Sequence, residues 1–250
     1  MDQLRGLQAS AARLRKLVEP LDAAGIRASA YPSEWTIADM LSHLGSGGSM
    51  MLMQLDAFLA GRTVPDDFAQ PIWDEWNAKP PEAQVADSLA VDRAMLDRVD
   101  LLTDDEVARF LLQLGPLQLD LATFLGLRLN EHALHTWDVE VAGDPAATVA
   151  PEAVDLVVDN LSMMVGFVGK PTGRAHDVHI RTTQPARDFT LSLQDEGATL
   201  NTCDDAHEPD LELPAEALIR LVYGRLDPDH TPPVRGGADL DELRRAFPGV

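Results

Sequence analysis

LNEHALHTWDVEVA, residues 129–142, is a proline-free run with helical spacing, and its reading decides how the first half of the chain folds. In a helix, Glu131 and His135 lie four positions apart, so both side chains leave one face about a turn apart. A carboxylate and an imidazole stacked in this way form half of a metal site. His132 and His135, three apart, form a rival pair on nearly the same face. Periodicity does not choose between the pairs.

Working outward, this helix is predicted to begin near Leu117 and to run to about Ala142, where Gly143 and Asp144-Pro145 stop it. Upstream, Leu4, Leu7, Ala11, Leu14, Leu17 and Leu21 repeat at helical steps and predict an amphipathic helix over 2–24. Thr36 with Asp39 has the pattern of an N-terminal capping box for a helix through IADMLSHLGSGGSMMLMQLDAFLAG, residues 37–61. His43 lies beside the inward stripe of that helix. Gly45, Gly47 and Gly48 follow it, each costing a helix about 1 kcal/mol relative to alanine. They mark a helix break near Ser46, close helix packing, or room for a ligand next to His43.

Residues 61–80 hold three prolines with Trp73 and Trp76 and read as a long loop with one helical turn, the tryptophans plugging the open end of a helical core rather than lining a substrate pocket. Helical spacing returns over 81–102. A turn, a short helix and a break at Gly115-Pro116 follow. Four substantial helices in the first 143 residues bury their apolar stripes most simply as an all-helical bundle.

After a helix at 151–169 the pattern changes to alternation in HDVHIRTT, DFTLSLQDEG and ATLNTCDD, the signature of short strands. Further helices are predicted over 214–223 and 240–247, with PPVRGG as a brief strand or turn. The chain therefore reads as α+β overall, a helical bundle over 1–148 followed by a small α+β domain over 149–250 that begins with a linking helix.

Forty-one acidic against 20 basic residues give a formal charge of −21, which repels nucleic acid phosphates and anionic lipid headgroups. Cys203 is the only cysteine, so neither an intrachain disulfide nor a multi-cysteine metal knuckle is possible. No run approaches the roughly 18 apolar residues of a membrane span, and the amphipathic N-terminus lacks a signal-peptide core. A cytoplasmic protein with small-molecule partners is expected.

Catalytic metal sites commonly use three protein ligands and leave one position open. Of seven histidines, His176, His179, His207 and His230 fall in the second domain, and His176 and His179 face opposite sides of a strand. His43 belongs to the same predicted bundle as Glu131 and His135, and the three make a two-histidine, one-carboxylate set. A hydrogen-bonded core histidine beside a solvated glutamate explains the same spacing.

Trp35-Thr36, the SHLG around His43, the NEHALHTWDVE block, and LVYGR with the closing FPGV together resemble the mycothiol-dependent maleylpyruvate isomerase family. The resemblance runs through nearly the whole chain in motif order. It implies a DinB-like four-helix bundle followed by an α+β domain, and it matches the metal ligands to His43, Glu131 and His135, leaving His132 as a neighbour. Asp138 would then orient the site or cap a neighbouring element. The functional arginine matches Arg225, with Arg220 and Arg128 as alternatives.

The implied chemistry is that of a divalent metal, most plausibly zinc, whose open position takes the thiol of mycothiol and favours the thiolate. Addition of that thiolate to the double bond of maleylpyruvate leaves a single bond free to rotate, and its expulsion gives the trans acid, with an arginine holding a substrate carboxylate. The same set serves a metal-dependent mycothiol S-transferase acting on another electrophile, or a non-catalytic metal- or ligand-binding protein.

Overall fold

The computed structural model describes residues 1–115, 117–203 and 208–249 of the chain. Pro116 of the Gly115-Pro116 break, His207 and the closing Val250 of FPGV lie outside the described residues, as do Asp204 and Asp205 of ATLNTCDD. The chain folds as two compact units, Met1–Ala147 and Thr148–Val250. No helix among the described residues is long and apolar enough to cross a membrane.

The first unit is built on four long helices: α1 (Asp2–Val18), α2 (Ile37–Leu59), α4 (Pro81–Asp100) and α6 (Leu121–Glu140), with short α3 (Ala69–Asn77) and α5 (Asp104–Arg109) between them. α1 packs on α6 and α4, and α2 packs on α4 and α6, which closes a four-helix bundle. Leu14, Val18, Ile37, Met40, Leu41, Leu44, Leu89 and Val139 meet in its core. α1 stops earlier than its leucine repeat predicts, because Pro20 has no N–H with which to extend the ladder.

The capping box of α2 is formed. Thr36 Oγ1 accepts from the Asp39 N–H at 3.1 Å, and Asp39 Oδ2 accepts from the Thr36 N–H at 2.9 Å. An N-cap of this kind contributes about 1 kcal/mol. α2 then runs unbroken through its glycines. A Cβ on Gly45 would stand 2.2 Å from the ring of Trp76, and one on Gly48 would stand 2.8 Å from Val91 Cγ1 and 3.1 Å from Arg128 Nη2. Neither the helix break nor the ligand space is found. The bare backbone lets an indole, a valine and a guanidinium approach.

Residues 69–77 form a nine-residue helix where a loop was expected. Ile72 and Trp76, four apart, turn inward, and Trp76 Nε1 donates to Ser49 Oγ at 3.2 Å. Trp73, by contrast, stays exposed and plugs nothing. α6 starts later than its apolar run predicts. Leu117–Leu119 (β2) pairs antiparallel with Leu112–Leu114 (β1) in a small hairpin, and α6 begins only at Leu121, capped by Asp120 Oδ1 accepting from the Thr123 N–H at 2.8 Å.

In the second unit the predicted helix over 151–169 divides at Asn160 into α7 (Pro151–Asp159) and α8 (Leu161–Val168). β3 (His176–Thr183), β4 (Arg187–Gln194), β5 (Gly197–Thr202), β6 (Leu211–Pro214) and β7 (Arg235–Gly236) form one sheet in the order β5-β4-β3-β6-β7. β3 and β6 are parallel and the other neighbours antiparallel. Alternate residues Val178, Ile180, Phe189, Leu191, Leu193, Leu211 and Leu213 are buried. α8 packs on β5 and α9 (Ala215–Val222) on β3 and β6, while α10 (Leu240–Ala246) follows the last strand.

Candidate metal centre

His43 comes from α2, and Glu131 and His135 come from successive turns of α6. His43 Nε2 lies 3.2 Å from Glu131 Oε2, and His135 Nε2 lies 3.4 Å from the same oxygen. The three ligand atoms all fall within 4.8 Å of one another. Metal–ligand bonds of about 2.0–2.2 Å at tetrahedral angles set ligand atoms about 3.3–3.6 Å apart, and the two histidine-to-Glu131 separations are close to that range.

The second nitrogen of His135 supports the same fit. Nδ1 lies 2.8 Å from Oδ2 of the buried Asp138, which orients the ring so that Nε2 faces Glu131 across the cluster. Burial alone would lower the His135 pKa, but the hydrogen bond to Asp138 and that to Glu131 outweigh it and raise it. For Glu131 burial acts upward, while hydrogen bonds from His135 and His43 hold the carboxyl well below the usual carboxylate range. Both Glu131 and His43 keep an open side, their side chains 44% and 40% accessible, against 12% for His135. A ligand can reach the cluster from solvent.

His132 points elsewhere. Its Nδ1 lies 2.8 Å from Ser10 Oγ and 3.3 Å from Thr136 Oγ1, and its Nε2 lies 3.1 Å from Asp92 Oδ2. Both ring nitrogens are engaged inside the bundle and none is offered to the cluster. Asp92 also accepts from Arg128 Nη2 at 2.8 Å, with both side chains buried. Arg128, an alternative for holding substrate, is thus committed to the core. No spacing in the sequence links Ser10 on α1 and Asp92 on α4 to His132, so this network was not legible before the fold.

Arg220 and Arg225 belong to the second unit and both are buried. Arg220 is clamped by Glu216 at 2.7 and 2.9 Å and donates to the His230 carbonyl at 2.6 Å, which accounts for its guanidinium as a structural tie. Arg225 donates from Nη1 to the Tyr223 carbonyl at 2.6 Å.

Fold and site define a class: a helical bundle presenting an open two-histidine, one-carboxylate set, joined to an α+β unit. The model of the mycothiol maleylpyruvate isomerase N-terminal domain matches residues 7–140, more than half of the chain. The chain belongs to that family of enzymes. Among solved structures, the mycothiol-dependent maleylpyruvate isomerase and a histidine-to-alanine mutant of it share the fold. Each has a TM-score of 0.63 and 11% sequence identity over 89% of this chain and 88% of that chain. No curated protein matches the sequence.

Proposed function

We propose that the chain is a metal- and mycothiol-dependent isomerase of the maleylpyruvate isomerase type, with His43, Glu131 and His135 as the metal ligands. The observation that carries this reading is the convergence of three donor atoms at metal-ligand spacing in a member of this enzyme family. A zinc ion in such a set supplies Lewis acidity that lowers the pKa of a thiol, making the thiolate of mycothiol available at neutral pH for addition to a cis-unsaturated acid and its later elimination.

The residues divide the work. His135 is held in one tautomer and orientation by Asp138, which keeps Nε2 aimed at the cluster. Glu131 remains ionised and contributes one negative charge, while the accessible sides of Glu131 and His43 admit the thiol. Arg225 of the second unit, buried and donating to the Tyr223 carbonyl, is proposed as the functional arginine of the family.

Metal content and reaction outcome test the assignment together. Elemental analysis should find one equivalent of metal in the wild type and in His132→Ala, and its loss in His43→Ala and His135→Ala; retention in the latter two would sink the ligand set. The metal-loaded protein incubated with mycothiol and maleylpyruvate should give the trans product. Formation of a stable thiol adduct with a general electrophile instead would favour the S-transferase. Arg225→Lys keeps the charge but loses the bidentate fork, and is expected to lower kcat/KM by about 10–100-fold without changing metal content.

A further inference from the structure

Trp35 stands beside the cluster. Its indole packs against the His43 ring with centroids 5.5 Å apart and planes inclined by 58°, and the residue is 38% exposed. Trp76 and Trp137, in contrast, are buried. Apolar surface of this size left open next to an accessible polar cluster is a feature of ligand sites, where an aromatic face supplies contact area and nearby polar groups supply orientation.

The backbone that carries the indole is held on both sides. The Trp35 N–H donates to the Pro32 carbonyl at 2.8 Å, its carbonyl accepts from the Ala30 N–H at 2.9 Å, and Thr36, next in the chain, is locked by the capping box and bridges to Ser29. Among the described residues no protein acceptor receives the indole N–H, so one donor remains at the edge of the open face.

We propose that Trp35 forms a carbohydrate-stacking subsite that grips the sugar portion of the thiol while its sulfur is engaged at the cluster; this rests on the functional reading above. Mycothiol is a cysteinyl thiol carried on an amino sugar linked to inositol. The C–H face of such a ring carries partial positive charge and stacks on the electron-rich face of an indole, while its hydroxyls accept from a free indole N–H. The ligand is uncharged apart from the thiol, which suits a chain with a net charge of −21. Trp35 is therefore a specificity residue, selecting a glycosylated thiol over a bare one.

Calorimetry on the metal-loaded full chain tests this with two uncharged thiols, mycothiol and the N-methylamide of N-acetylcysteine (below, N-acetylcysteine), which has the same thiol end without the sugars. The wild type should bind mycothiol more tightly; Trp35→Ala should weaken mycothiol about tenfold and leave N-acetylcysteine and metal content unchanged, and Trp35→Phe should restore most of the difference. Unchanged mycothiol binding in Trp35→Ala, or an equal loss for both thiols, overturns the subsite while leaving the functional reading intact. A metal-loaded wild type that binds no mycothiol overturns both. Saturation-transfer NMR on the wild type avoids any folding defect of the variants: irradiating the indole resonances should saturate the sugar ring protons more than the acetyl protons, and the reverse order refutes the stacking.

Discussion

His132 and His135 lie three residues apart on one helix and have opposite surroundings. His132 is fully buried with both ring nitrogens engaged, by Ser10 and Thr136 on one side and Asp92 on the other. His135 has one nitrogen on Asp138 and the other turned to Glu131 and the open side of the bundle. What separates a structural imidazole from a proposed ligand here is the partner of the second nitrogen. A helix can hold both because a step of three residues turns the side chain by about 60°.

The contrast breaks most visibly by exchanging the readouts. His132→Ala removes the partner of Ser10 and one of the two partners of Asp92 and leaves a cavity between α1, α4 and α6, and should lower stability by about 2–4 kcal/mol in urea denaturation while metal content holds. A stability loss of that size in His135→Ala, measured on metal-free protein, would erase the distinction.

The next largest effect sharpens the ligand side. Asp138→Asn keeps the shape next to His135 but loses the carboxylate charge and frees the tautomer, and metal affinity by competition with a chelator should drop about 10–100-fold. The corresponding partner on the structural side, Asp92, should show its effect through pH. Burial acts to raise the Asp92 pKa, but His132 and Arg128 outweigh it and hold it far below the ordinary value. A depressed carboxyl contributes stability that is complete above the unfolded value, about pH 4, and is lost as pH falls below it. Between pH 4 and 3 the wild type should therefore lose stability more steeply than Asp92→Asn, by at most about 1.4 kcal/mol per pH unit. Equal slopes would mean that the Asp92 network adds nothing in its ionised form.

Much of this was readable in the chain because the signals are long or chemical. The leucine repeat of α1 and the alternation of β3 to β5 each repeat a local rule several times, and the Thr36–Asp39 cap is a chemical signature complete within four residues. The hairpin at Leu112–Leu119 has three residues per strand, too few for alternation to stand out from a helix with leucines nearby. α3 hid behind the proline-rich stretch around it. At the site, spacing put Glu131 and His135 on one face, yet no spacing says that Asp92, 40 residues away, occupies His132. The glycines of α2 were visible as an anomaly. Their cause lay on three other helices, in Trp76, Val91 and Arg128.

The indole seated on Gly45 has a consequence for motion. Ile72 and Trp76 are the residues by which α3 is buried, and α3 lies within the connection from Gly61 to Pro80. That connection should therefore open as one cooperative segment, at a free energy below that of global unfolding, and its amides should exchange with solvent together. Each opening uncovers α2 two residues beyond His43, so hydrogen exchange in α3 becomes a gauge of how firmly the turn carrying that histidine is held.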